Sequence, residues 1–92
     1  MGNNADAASK FLKALSHEGR LMILCHLTHG ERSVTELEQL LSSRQAAVSQ
    51  QLARLRSDGL VQARRDGKVI YYKLADQKVE RMLALVHDMF CG

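Results

Sequence analysis

The chain has 92 residues, enough for one small domain, with 46% hydrophobic residues, no Trp and a net charge of +3. That size leaves little room for a substrate pocket, and the aliphatic, Met-containing composition suits packed helices. No apolar run approaches membrane-spanning length and no basic-then-apolar leader opens the chain, so a soluble, cytoplasmic protein with no membrane partner is expected.

After a polar start, Ala8, Phe11, Leu12 and Leu15 recur at helical spacing and predict a first helix. Ser16 is the expected N-cap of a second. There Leu21, Met22, Ile23, Leu24 and Leu27 are apolar nearly all round, as in a central buried helix, and Gly30 ends it. Val34, Leu37, Leu40 and Leu41 give the apolar side of a short third helix. Ser33 and Glu36 have capping-box spacing, and so do Ser42 and Gln45, so two helix starts sit nine residues apart. The fourth helix is expected from about Arg44 to Ser57, stopping near Gly59. Val48, Leu52 and Leu55 face its core side, while Ala46, Gln50, Ala53, Arg54 and Ser57 point outward with Ser49 on the flank.

A hairpin follows, with strands on either side of the turn dipeptide Asp66-Gly67 and with Arg64, Arg65 and Lys68 clustered at its tip. Asp76 then caps a last helix in which Val79, Met82, Leu83, Val86, Met89 and Phe90 form a long apolar stripe. The expected fold is mainly α with a β-hairpin wing, a winged helix-turn-helix in the order ααααββα, forming a single domain over residues 1–92.

This layout is a device for reaching into a DNA groove while gripping the backbone. Between Ser43 and Lys73 there are seven basic and two acidic residues, so positive charge gathers on the segment that would meet phosphates. Gln45, Ser49 and Gln50 supply amide and hydroxyl groups where a recognition helix meets base edges, with Arg54 beside them. Arg64, Arg65 and Lys68 could touch phosphate or enter a minor groove. The apolar stripe of the last helix exceeds what one small core needs. With Phe11, Leu12 and Leu15 it would form a homodimer interface, placing two recognition helices on a palindromic duplex. Nothing in the chain offers an oxyanion device or an oriented nucleophile, so no enzyme and no cofactor are expected.

The two cysteines, Cys25 and Cys91, read by themselves as a small buried hydrophobe and a terminal thiol. In a reducing compartment they are not a structural disulfide by default. Cys25 with His29, and His87 with Cys91, are i, i+4 pairs that could together make a Cys2His2 zinc or copper site.

Taken in order, Ala14–Leu24, Ala47–Val61 and the wing Arg65–Tyr72 resemble the ArsR family of winged-helix repressors over essentially the whole chain. One departure is Gln51, where many relatives carry His. The family's usual metal-ligand patterns are absent: the third helix reads Val34-Thr35-Glu36-Leu37-Glu38 without Cys, and the last begins Asp76-Gln77-Lys78. The cysteine placement instead resembles the dithiol, persulfide-sensing branch. That resemblance implies a domain that is both DNA reader and sensor, a repressor that leaves its operator when reactive sulfur species crosslink Cys25 and Cys91. The same resemblance leaves an oxidant-responsive derepressing activator as one alternative, and the i, i+4 spacing of Cys25/His29 and His87/Cys91 leaves a zinc- or copper-responsive repressor as another.

Overall fold

The computed structural model describes residues 4–41 and 45–90, the side chains of Gln45 and Ala46 excepted. Ser42, Arg44 and Cys91, and with them the expected Ser42–Gln45 cap, lie outside the described residues. The elements are α1 (Ala5–Leu15), α2 (Glu18–Leu27), β1 (Arg32–Ser33), α3 (Val34–Leu41), α4 (Gln45–Ser57), β2 (Val61–Asp66), β3 (Val69–Leu74) and α5 (Gln77–Phe90). None of the described helices is long and apolar enough to cross a membrane.

The expected order ααααββα lacks one element. β1 pairs antiparallel with β3, with Arg32 opposite Tyr72 and Ser33 opposite Tyr71, so the sheet has three strands in the order β1-β3-β2. Two residues carry no alternation that a sequence pattern could reveal; β1 is a strand because the middle strand of the wing offers it a ladder. Ser33 then serves twice, as the last residue of β1 and as the cap of α3. The Ser33 amide donates to Glu36 Oε1 at 3.0 Å, and the Glu36 amide donates to Ser33 Oγ at 3.2 Å. The Ser33 amide and hydroxyl hold the Glu36 carboxyl below the ordinary carboxylate range.

The cap of α2 is also displaced by one residue. His17, with extended backbone, accepts at Nδ1 from the Gly19 amide at 3.1 Å and the Arg20 amide at 3.4 Å. Ser16 instead closes α1, its hydroxyl donating to the Lys13 carbonyl at 2.7 Å. Gly19 leaves room for this arrangement, since a Cβ there would lie 3.2 Å from the His17 ring.

The end of α4 follows its sequence signal closely. Gly59 takes φ +78, its amide donates to the Arg56 carbonyl at 3.0 Å and the Leu60 amide reaches back to the Leu55 carbonyl at 2.9 Å. These two bonds make a Schellman turn, and Leu55 and Leu60 are both buried beside it. Asp76 caps α5, accepting from the Val79 amide at 3.2 Å.

The core gathers Ile23, Leu24 and Leu27 of α2, Leu37 of α3, and Val48, Leu52 and Leu55 of α4. Leu60, Val61, Leu74, Val79 and Leu83 close it from the wing base and α5. Two expectations of burial fail: Met22 is 46% exposed and Leu40 is 45% exposed, so α2 is buried on one broad face rather than all round. At the wing tip Asp66 pairs with Val69, making Gly67-Lys68 the turn rather than Asp66-Gly67. Gly67 has φ +64, a conformation that favours glycine, and Lys68 stands at the apex.

Candidate nucleic-acid interface and thiol groove

The inner face of α4 is fixed by Val48, Leu52 and Leu55, which leaves Ser49, Gln50, Ala53 and Arg54 exposed on the outer side. Gln45 begins the helix, and its side chain lies outside the described residues. Arg54 Nε sits 3.3 Å from Asp58 Oδ2, and the same oxygen lies 3.8 Å from Arg20 NH1 of α2. Asp58 thus ties the end of the outward-facing helix to the start of α2.

The wing divides its basic residues. Successive strand residues point to opposite faces, so neighbouring Arg64 and Arg65 cannot share one. Arg65, opposite Ile70, and Lys68 are exposed near the tip. Arg64 lies further down, opposite Tyr71, and is already engaged: Nε donates to Glu31 Oε2 at 2.8 Å and NH2 to Glu31 Oε1 at 2.6 Å. Its guanidinium also covers the Tyr71 ring, 4.7 Å from the centroid. Of the expected tip cluster of three, Arg65 and Lys68 lie nearest the turn, while Glu31 holds the Arg64 guanidinium midway along the ribbon.

The hydrogen bonds from Arg64 hold the Glu31 carboxyl below the ordinary carboxylate range, and Glu31 in turn raises Arg64. A lowered carboxylate contributes its stabilisation above the ordinary carboxylate range and loses it as pH falls through the lowered value. The pair is therefore fully ionised around neutral pH.

A second feature lies away from this face. Cys25, Thr28 and His29 at the end of α2, with Glu80, Leu83, Ala84, His87 and Asp88 of α5, line a groove of about 600 Å³. Cys25 is half-buried, and the Thr28 hydroxyl donates to its carbonyl at 2.6 Å. Cys25, His29 and His87 all line this groove, whereas Cys91, the fourth member of the two i, i+4 pairs, lies outside the described residues. Among the described residues, no group of three His, Cys, Asp or Glu is spaced to hold a metal ion.

The expected dimer residues also divide. Leu15, Val79 and Leu83 are buried in the protomer's own core and have no surface left for a partner. Phe11, Met82 and Val86 are half-buried, whereas Leu12, Met89 and Phe90 are exposed, the last two at 64% and 78%. Leu85, which the stripe reading passed over, is 53% exposed on the same helix. Helical spacing puts Met82, Leu85 and Met89 on one stripe, and Val79, Leu83, Val86 and Phe90 on the next. Phe90 continues the buried stripe past the end of the protomer body. Of the other residues that sequence reading missed, Glu31 and Tyr71 act through Arg64, remote in sequence, whereas Asp58 had a local signal in its i, i+4 spacing from Arg54 and only its contact with Arg20 is long-range.

Comparison with known proteins gives a consistent result. The sequence profile of bacterial regulatory proteins of the arsR family matches residues 17–63. The chain is 44% identical over its whole length to the biofilm growth-associated repressor of Agrobacterium fabrum, covering 79% of that protein. The solved structure of HlyU from Vibrio cholerae superposes with a TM-score of 0.95 at 42% identity, covering 100% of both chains. A second structure of that protein, described as reduced HlyU, gives 0.94 at 42% identity and covers 100% of this chain and 97% of its own. A possible ArsR-family regulator from Mycobacterium bovis, solved as a homodimeric winged helix-turn-helix DNA-binding domain, matches with a TM-score of 0.85 at 36% identity, over 96% of this chain and 82% of that one.

Proposed function

Because the chain belongs to the arsR family of bacterial regulatory proteins, we propose that it is a homodimeric, thiol-responsive repressor acting on a palindromic DNA operator in the cytoplasm. The single observation that carries the sensing half is the groove at the end of α2, which Cys25, His29 and His87 all line away from the outer side of α4. One unit over residues 1–92 then does both jobs. The outer side of α4 reads base edges through Gln45, Ser49 and Gln50 with Arg54 beside them, and Arg65 and Lys68 of the wing hold phosphates. Leu12, Leu85, Met89 and Phe90 meet their copies across a two-fold axis, a reading supported by their exposure and by a mycobacterial relative described as homodimeric.

The inducer is a reactive sulfur species, and Cys91 is the second thiol. A persulfide RSSH transfers its outer sulfur to the Cys25 thiolate, giving a Cys25 persulfide and releasing RSH. Attack by the Cys91 thiolate on the inner sulfur closes a Cys25–Cys91 disulfide and expels hydrogen sulfide. A thiolate and access are what such a step needs, and a half-buried Cys25 that lines an open groove supplies the access. The crosslink would pin α5, the dimer helix, to α2 and alter the spacing of the two recognition helices. The description of one HlyU structure as reduced fits a relative in which oxidation state matters.

The test is operator release measured with persulfide, peroxide and disulfide, alongside intact mass. Wild-type protein should release DNA with persulfide and lose the mass of two hydrogens, or gain whole sulfur atoms if further sulfur is incorporated. Cys25→Ser and Cys91→Ser should stay bound, and release by either variant would defeat the dithiol mechanism. For the DNA face, Gln50→Ala should relax sequence preference, whereas Lys68→Ala should weaken all duplexes alike and reduce the salt slope by about 1. The reverse pattern in competition binding would overturn this assignment.

A further inference from the structure

Arg64 is basic, lies in the wing and reads from sequence as a phosphate contact, yet its hydrogen-bonding edge faces protein. Both guanidinium bonds go to the two oxygens of one carboxylate, at 2.8 and 2.6 Å, and the planar face rests on Tyr71. The three partners come from three places in the sheet. Glu31 immediately precedes β1, Tyr71 is in β3, and Arg64 is in β2 on the far side. The ion pair is a strap from one outer edge of the sheet to the other, passing over the middle strand.

What the strap joins matters. β1 passes without a linker into α3, because Ser33 both ends the strand and caps the helix. β2 and β3 form the ribbon that carries Arg65 and Lys68. A two-stranded ribbon is marginal by itself and twists freely, and only two residue pairs tie β3 to β1. The fork-to-fork contact adds the directional restraint that this short ladder lacks.

We propose that Glu31 and Arg64 are paired positioning residues that set the angle of the wing relative to the helix-turn-helix, and that Arg64 does not contact DNA phosphate. Glu31, an acidic residue beside the wing, thereby has a purpose: it orients the ribbon through Arg64. This rests on the DNA-binding reading above and adds the division of labour within the wing.

Two chemistries separate positioning from phosphate contact. A phosphate accepts Lys nearly as well as Arg, whereas a bidentate, ring-stacked strap does not. Removing a carboxylate near a phosphate contact should tighten binding, whereas removing it from a strap should loosen the wing. The probe is a duplex selected by the wild-type protein from a random-sequence pool, with affinity measured across a salt series. Arg64→Lys and Glu31→Gln are each expected to weaken binding by about tenfold, with the slope of log affinity against log salt changed by less than the roughly 0.9 expected for one lost phosphate contact. The charge-swapped pair Glu31→Arg with Arg64→Glu, which has the wild-type net charge, should return to within about threefold of wild type, as coupled partners do in a double-mutant cycle.

The proposal is overturned if Arg64→Lys binds like wild type or if Glu31→Gln binds more tightly. Failure of the swap to improve on Arg64→Glu alone also overturns it. Thermal midpoints serve as the folding control, since an exposed pair contributes little to global stability. If the wild-type protein binds no duplex in a salt-dependent way, the DNA-binding reading falls and the strap's role with it. If wild type binds steeply and Arg64→Lys equals it, only the strap is wrong.

Discussion

Replacing Leu85 and Met89 together with Glu is expected to give a folded monomer whose affinity for a two-half-site duplex falls by about 10²- to 10⁴-fold. The size of the loss comes from linkage. In a dimer, binding of one recognition helix presents the second at an effective concentration in about the millimolar range, and a monomer forfeits that advantage. These positions are suitable because Leu85 and Met89 sit on the outward stripe of α5, at 53% and 64% exposure, so the protomer's own packing does not depend on them. Val79 and Leu83 would be poor choices, since both are in the core and their loss would unfold the chain. Sedimentation should report the monomer mass. A single half-site should still be bound, with the salt dependence of one helix and one wing. A variant that keeps the dimer mass and the palindrome affinity would show that the interface lies elsewhere.

Leu52→Ala is the second large effect, on stability. Leu52 is fully buried on α4, which packs against α2, α3 and β2, so it sits where the helix-turn-helix and the wing base meet. A Leu-to-Ala change at such a site costs about 2–5 kcal/mol, the sum of lost transfer energy and the cavity left behind. A chain of this length holds roughly 5–14 kcal/mol in total, at the usual stability per residue. The variant should melt at least about 10 °C lower and shift its urea midpoint without a change in slope. Ser57→Ala, on the exposed side of the same helix, should stay within about 0.5 kcal/mol. A loss below about 1 kcal/mol for Leu52→Ala would mean that the site collapses around the smaller residue.

What the sequence made legible was local. The Ser33–Glu36 box, the Asp76 cap, the glycine after α4 and the inner row Val48, Leu52 and Leu55 each depend on residues within a turn or two of one another. All four are found in the structure. What it hid was long-range or shared. β1 is a strand only through Tyr71 and Tyr72, some 40 residues away in sequence. Glu31 and Arg64 are 33 residues apart, so Arg64 looked like one more wing cation. The stripe on α5 was visible as apolar, but spacing cannot say which chain's core a residue enters; Val79 and Leu83 face their own protomer while Met89 and Phe90 do not. The cap of α2 went to His17 because Ser16 and His17 are both acceptors, and backbone geometry chose between them.

The double use of Ser33 has a consequence for how this fold can change length. At Gly67-Lys68 the chain reverses in solvent, and extra residues there extend the ribbon without disturbing any pair below Asp66 and Val69. At Ser33 and Val34 there is no slack, because a strand pair and a helix cap share one residue. One inserted residue at that seam would force a choice between the ladder to Tyr71 and the cap of α3. Wings of many lengths are therefore compatible with this architecture, whereas the join between wing and reading head has one permitted spacing.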